Sequence, residues 1–201
     1  FMQTLCDSNV ASAHVDVHLS IGEKRNRLIA AAKGEIIVQF DDDDYYVPSY
    51  IQTMVDVLTA GADLVNLTGW FLLDRRNQFF GYWDLGEKNE LSYCCSSSGI
   101  ELTTPTPELE RGLALAHFGF GFTYAFRRKV WEAAPYPDRN WNEDGEFAAT
   151  ARQRFKMTGI SDRRGLCLHI IHNGNTSRCF PQYRLPYFLP ERLFPDMMVL
   201  G

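Results

Sequence analysis

Apolar residues along the chain switch between two spacings. Val15, Val17 and Leu19 recur at every second position and predict a short strand. Ser20 or Gly22 then opens a helical stretch from Glu23 to Lys33, with Leu28, Ile29, Ala31 and Ala32 as its apolar side and Gly34 as its stop. Ile36 to Phe40 reads as a buried strand. The next helix begins near Pro48 and carries Val47, Ile51, Met54, Val55 and Leu58 on one face before Gly61 closes it. Asp63 to Leu73 reads as another strand, so the first part of the chain alternates strand and helix.

Beyond this point the pattern loosens. Asn77 to Asp84 predicts a hairpin strand after the Asp74-Arg75-Arg76 turn, and Cys94 to Pro107 reads as a polar loop rich in Ser, Thr and Pro. A strand is expected over Gly121 to Phe126 and a short helix over Arg128 to Ala134. Phe147, Ala151 and Phe155 recur at i+4 on a helix starting near Glu143, and Gly165 to Ile171 forms a last strand ending in "HNGNTS". Four prolines after Phe180 predict an irregular tail over 178–201. The class is α/β: strands alternating with helices argue for a mostly parallel central sheet flanked by helices, with ligands beyond the carboxyl ends of its strands.

Composition narrows the function classes. The chain has 201 residues, enough for one full core, and 45% hydrophobic content fits a single globular domain over 1–201. The 20 basic and 25 acidic residues leave a net charge of −5, which gives no support to nucleic-acid binding. No transmembrane segment is expected. Five cysteines with no C-x-x-C spacing argue against a zinc site or a disulfide framework and fit a reducing, cytoplasmic setting, with peripheral membrane attachment compatible.

The strongest chemical signal is "EIIVQFDDDDYY", a buried strand running into Asp41, Asp42, Asp43 and Asp44. Two carboxylates ~4 Å apart repel by roughly 4 kcal/mol at an effective dielectric near 20, so water or a counter-charge must offset the run. A hard divalent cation is the natural counter-charge for clustered carboxylate oxygens. An EF-hand loop lacks its Gly and distal Glu here, and no phosphate-binding G-x-x-x-x-G-K-[ST] occurs. Glu143 and Asp144 fit a helix start, where capping is the simplest role.

"GEKRNRLIAAAKGEIIVQFDDDDYYVP" resembles the core of nucleotide-sugar glycosyltransferases of the GT-A fold, family 2 in particular. "NEDGEF" is similar to that group's acidic E-D motif and "HNGNTS" to its late His-x-x-N-[ST] segment. The resemblance implies a Rossmann-like three-layer sandwich, with a donor-binding part over about 1–75 and an acceptor or catalytic part over about 76–177. It implies that Asp43 and Asp41 ligate Mn²⁺ or Mg²⁺, with His172 within reach of the metal or diphosphate. Asp41 and Asp42 then stand near the donor, and Lys24, Arg25 and Asn26 point toward its nucleotide. Asp144, with Glu143 beside it, matches the general base. His169 is left as a core residue, and Trp141 is placed beside the acceptor.

The implied activity is metal-dependent transfer of a sugar, from a UDP-sugar by preference, to a glycan or other acceptor hydroxyl with inversion. The alternative is a catalytically silent nucleotide-sugar-binding module of a larger assembly, and a place in a longer multidomain chain fits either. The chain starts at "FMQTLCDSN", beyond the two strands that in this group grip the nucleotide base, which leaves the base open.

Overall fold

The computed structural model describes residues 16–175 and 178–199. Val15, Cys6 and the rest of the opening segment lie outside the described residues, as do Thr176 and Ser177 of the "HNGNTS" stretch. Asp16 to Leu19 forms no strand, and Val17 is exposed, so the alternation there has no sheet to join.

Local signals set the first two helices. In α1 (Ile21–Ala31) the Ser20 hydroxyl accepts the Glu23 N–H at 3.1 Å, which satisfies one of the orphan donors of the first turn. After β1 (Ile36–Val38) and β2 (Tyr45–Tyr46) comes α2 (Tyr50–Thr59), which buries Tyr50, Met54 and Leu58 at i, i+4 and i+8. Ile51, expected on that face, is half exposed instead. Tyr50 takes the inward position because its ring fills the core while its O–H donates to the Thr123 carbonyl at 2.9 Å.

One strand organises the sheet. Every residue of β3 (Leu64–Asp74) is buried. Its first residues lie between β7 (Ala125–Arg127), antiparallel, and β8 (Met157–Ser161), parallel. Its last ones lie between β4 (Phe79–Asp84), antiparallel, and β9 (Cys167–Ile170), parallel. β1 adds outside β7, β2 outside β9, and β10 (Tyr183–Leu185) outside β4, each antiparallel. Helices flank one α/β sheet as expected, but its pairing is mainly antiparallel, which corrects the mostly parallel arrangement. The physical reason is connection length. β3 turns straight into β4 through a hairpin in which Asp74 accepts the N–H groups of Arg76 and Asn77, whereas a parallel neighbour needs a long crossover of the kind that brings in β8 after α5 (Glu143–Ala151).

A bulge in β3 changes which way its side chains face. Leu67 pairs with Ile160 and Gly69 with Ser161, so Thr68 is an extra residue on this strand. Val65 and Leu67 share one core layer with Trp70 and Leu72, while Leu64 lies in a second layer and Phe71 and Leu73 in a third. Odd positions before the bulge and even positions after it therefore point the same way.

Two expected irregular segments are ordered. Within the supposed loop, β5 (Ser92–Ser96) and β6 (Gly99–Thr103) form a hairpin, followed by α3 (Pro107–Leu115) capped by the Thr106 hydroxyl. The hairpin holds through distant partners: Tyr93 packs on Phe79 at 5.2 Å, and Cys95 pairs with Cys179 through backbone hydrogen bonds. In the tail, β10 and α6 (Pro190–Leu193) form because Phe194 is fully buried against Phe71 and Tyr45. α4 (Arg128–Ala133) follows β7 as expected, while Gly121 to Thr123 is a 3₁₀ turn rather than strand.

Candidate active site

The four aspartates follow β1 and are handed to different partners. Below them, Tyr46 accepts the Asp41 N–H at 3.1 Å and donates its O–H to the Phe122 carbonyl at 2.8 Å, which fixes the start of the turn. Asp44 turns inward with no exposed side-chain surface and accepts His169 Nδ1–H at 2.8 Å and the Ile170 N–H at 2.9 Å. Asp43 turns to His172. The Gly174 N–H donates to His172 Nδ1 at 3.0 Å, so the imidazole proton sits on Nε2 and is donated to Asp43 at 2.8 Å. Asp41 faces Arg25 at 3.7 Å, and Asp42 is exposed.

The opposite wall is the start of α5. Asn142 enters it with φ 59°, and Glu143 is buried. Asp144 Oδ2 accepts the Gly121 N–H at 2.9 Å and Oδ1 accepts the Gly145 N–H at 2.8 Å, so both its oxygens are held by backbone donors. Arg25 spans the two walls, 3.7 Å from Glu143 as well as from Asp41. Gly121 makes room for it: a Cβ at that position would overlap both Arg25 Nη1 and Asp144 Cβ.

Burial and like charge set the protonation of these acids. Burial pushes the Asp41 carboxyl up to about 6 against the pull of Arg25, and Asp44 and Asp43 add to the rise. Burial, then the neighbouring Asp144, also raises Glu143.

Both walls line an open cavity of about 1010 Å³, together with Lys24, Arg25, Asp41, Asp42, Asp43, Glu143 and Asp144. Exposed Trp141 stands on its rim. Two expected residues lie off the lining. Asn26 is a structural clip: its side-chain oxygen accepts Trp131 Nε1–H at 2.9 Å and the Tyr136 N–H at 3.0 Å, and its amide donates to the Tyr136 carbonyl at 2.9 Å. His172 reaches the site through Asp43. The sequence reading missed Tyr46, the Asp44–His169 pair and Gly121, whose roles depend on partners far away in the chain.

The carboxylates fit a hard cation. Asp41, Asp43 and Asp44 each offer an oxygen, all within 4.8 Å of one another. Opposed oxygens in an octahedral Mg²⁺ site stand about 4.2 Å apart, so small side-chain movements would bring the set into range.

Fold and motifs meet in one family. The sequence profile described as glycosyl transferase family 2 matches residues 7–132, and the chain belongs to that family, with the GT-A type of fold. Among solved structures, it is similar to S. aureus TarS 1-349 in complex with UDP-GlcNAc, at 14% identity and a TM-score of 0.56, covering 83% of this chain and 44% of that one. A second TarS 1-349 structure matches at 13% identity and a TM-score of 0.48, over 75% of this chain and 40% of that one. The chain thus spans less than half the length of the structures it matches. No curated protein matches it. Among the described residues no helix is long and apolar enough to cross a membrane.

Proposed function

We propose that this chain carries the donor-binding and catalytic part of a metal-dependent glycosyltransferase, moving a sugar from a nucleoside-diphosphate sugar to an acceptor hydroxyl with inversion. One observation carries the reading: Asp41 and Asp43 on one wall and Asp144 on the other line the same cavity, with Arg25 between them. Mn²⁺ or Mg²⁺ held by Asp41 and Asp43 would supply Lewis-acid stabilisation of the leaving diphosphate.

The chain's own groups do the rest. Asp144, fixed in orientation by the Gly121 and Gly145 N–H groups, takes the proton from the acceptor hydroxyl as it attacks. Direct attack from the face opposite the leaving group inverts the sugar carbon. His172 orients Asp43, and Lys24 lines the cavity as a cation for the donor phosphates. The UDP-GlcNAc held by the similar TarS structure supports a UDP-sugar as donor.

A thermal-shift panel of UDP-, GDP-, dTDP- and CMP-sugars, each with and without Mn²⁺, tests the reading. A ligand that binds only the native state stabilises it by RT ln(1 + [L]/Kd), about 2.7 kcal/mol at a hundredfold excess over Kd. A shift with a UDP-sugar that requires Mn²⁺ is expected. Shifts that ignore the metal, or none with any donor, overturn it.

A further inference from the structure

We infer that Trp70 and Phe120 form an acceptor subsite that takes a neutral sugar ring, with the Trp70 indole N–H donating to one of its oxygens. The inference rests on the transferase reading and assigns the acceptor's chemistry, which that reading leaves open.

Trp70 is fully buried, lines the cavity, and its indole N–H meets no acceptor among the described residues. Among the described residues only Arg25 Nη1 and Asn66 Oδ1 share that state. Tyr50 and Tyr136 donate to Thr123 and Gln39, and Trp131 donates to Asn26. A buried donor left unpaired keeps its full desolvation cost, so a native structure that tolerates one calls for an explanation.

Its surroundings select the ligand. The Trp70 ring lies 4.8 Å from Phe120, which also lines the cavity. Phe120 directly precedes Gly121, whose N–H holds Asp144, so this aromatic floor adjoins the proposed base. An anionic diphosphate finds its counter-charges at Lys24 and Arg25, not on two aromatic rings. A sugar ring combines a C–H face that packs on the partly exposed Phe120 ring with hydroxyl oxygens that accept from a donor-only indole. The cavity volume is at the upper end of ordinary ligand sites, which leaves room for an acceptor ring beside a donor.

Indole ¹⁵N–¹H spectra of the protein test this, because the chain has 4 tryptophans and each gives one indole signal. Trp83→Phe, Trp131→Phe and Trp141→Phe assign three signals, which leaves Trp70 identified even if Trp70→Phe does not fold. The Trp70 signal is expected to move on addition of the methyl glycosides of glucose, galactose and N-acetylglucosamine, and to stay in place with UDP alone. Where Trp70→Phe folds, its glycoside affinity should fall roughly five- to tenfold, the weight of one net hydrogen bond. A signal that moves with UDP, or with neither probe, overturns the subsite. An unmoved Trp70 signal alongside a Mn²⁺-dependent UDP-sugar thermal shift sinks the subsite alone, whereas the absence of any nucleotide-sugar shift sinks the transferase reading.

Discussion

Asp44 and His169 are joined by a hydrogen bond of 2.8 Å across 125 positions of sequence, and the Asp44 side chain is wholly buried. The pair ties the carboxylate turn to β9. Removing one partner of a buried charged pair costs about 3–5 kcal/mol because the other charge is left uncompensated. Asp44→Ala should lower stability by that order, measured by urea denaturation. A variant with an unchanged midpoint and slope would show that the pair contributes nothing.

Asp43 makes its side-chain contact at the surface, with about two-fifths of the side chain exposed. Asp43→Asn should therefore leave stability within about 0.5 kcal/mol of the parent. It should nevertheless abolish the Mn²⁺-dependent thermal shift, while Asp42→Asn keeps it. Retention of the shift in Asp43→Asn removes Asp43 from the metal set.

The raised Asp41 carboxyl gives metal binding a pH dependence. Its native pKa of about 6 lies above its ordinary value, so the native state holds this proton more tightly than the unfolded one does. The stabilising contribution is full below the ordinary carboxylate range and is lost as pH rises through about 6. A cation competes with that same proton. Mn²⁺ affinity measured by calorimetry should rise from pH 5 to pH 7 and then level off, and equal affinity at both would exclude Asp41 as a ligand.

Asp144→Asn keeps an oxygen for the Gly121 N–H but loses its basicity. Transfer to acceptor should fall by roughly 10²–10⁴-fold, while donor binding by thermal shift stays at the parent level. Near-parental transfer would move the base elsewhere, with Glu143, buried and lining the same cavity, next in line.

Much of the donor side was legible because its signals are local. The Ser20 cap, the apolar run of β1, the i+4 spacing of Met54 and Leu58, and the acidic start of α5 each sit within a few residues. Strand direction was not legible, since a period of two marks a strand without saying whether its neighbour runs with or against it. β8 escaped notice because "MTGIS" is short, carries a glycine and is only partly buried. The same limit applied to the site. Lys24, Arg25, Asp41, Asp43, Glu143 and Asp144 could be named from motifs, but Asn26 turned out to clip Trp131 and Tyr136, and nothing local to Asp44 announces His169. α3 had readable signals in Thr106 and Pro107, masked by the polar composition around them.

The extra residue at Thr68 decides what the cavity wall is made of. Upstream of it the strand counts inward on odd numbers, downstream on even ones, and Trp70 falls on the inward count only because of that one-step offset. Deleting Thr68 would remove the bulge and keep Trp70 inward, whereas pairing Thr68 as an ordinary strand residue would keep every side chain in the inventory yet exchange the addresses of those beyond it. Gly69 would then take the place of the indole, and the wall would lose both that ring and its nitrogen donor.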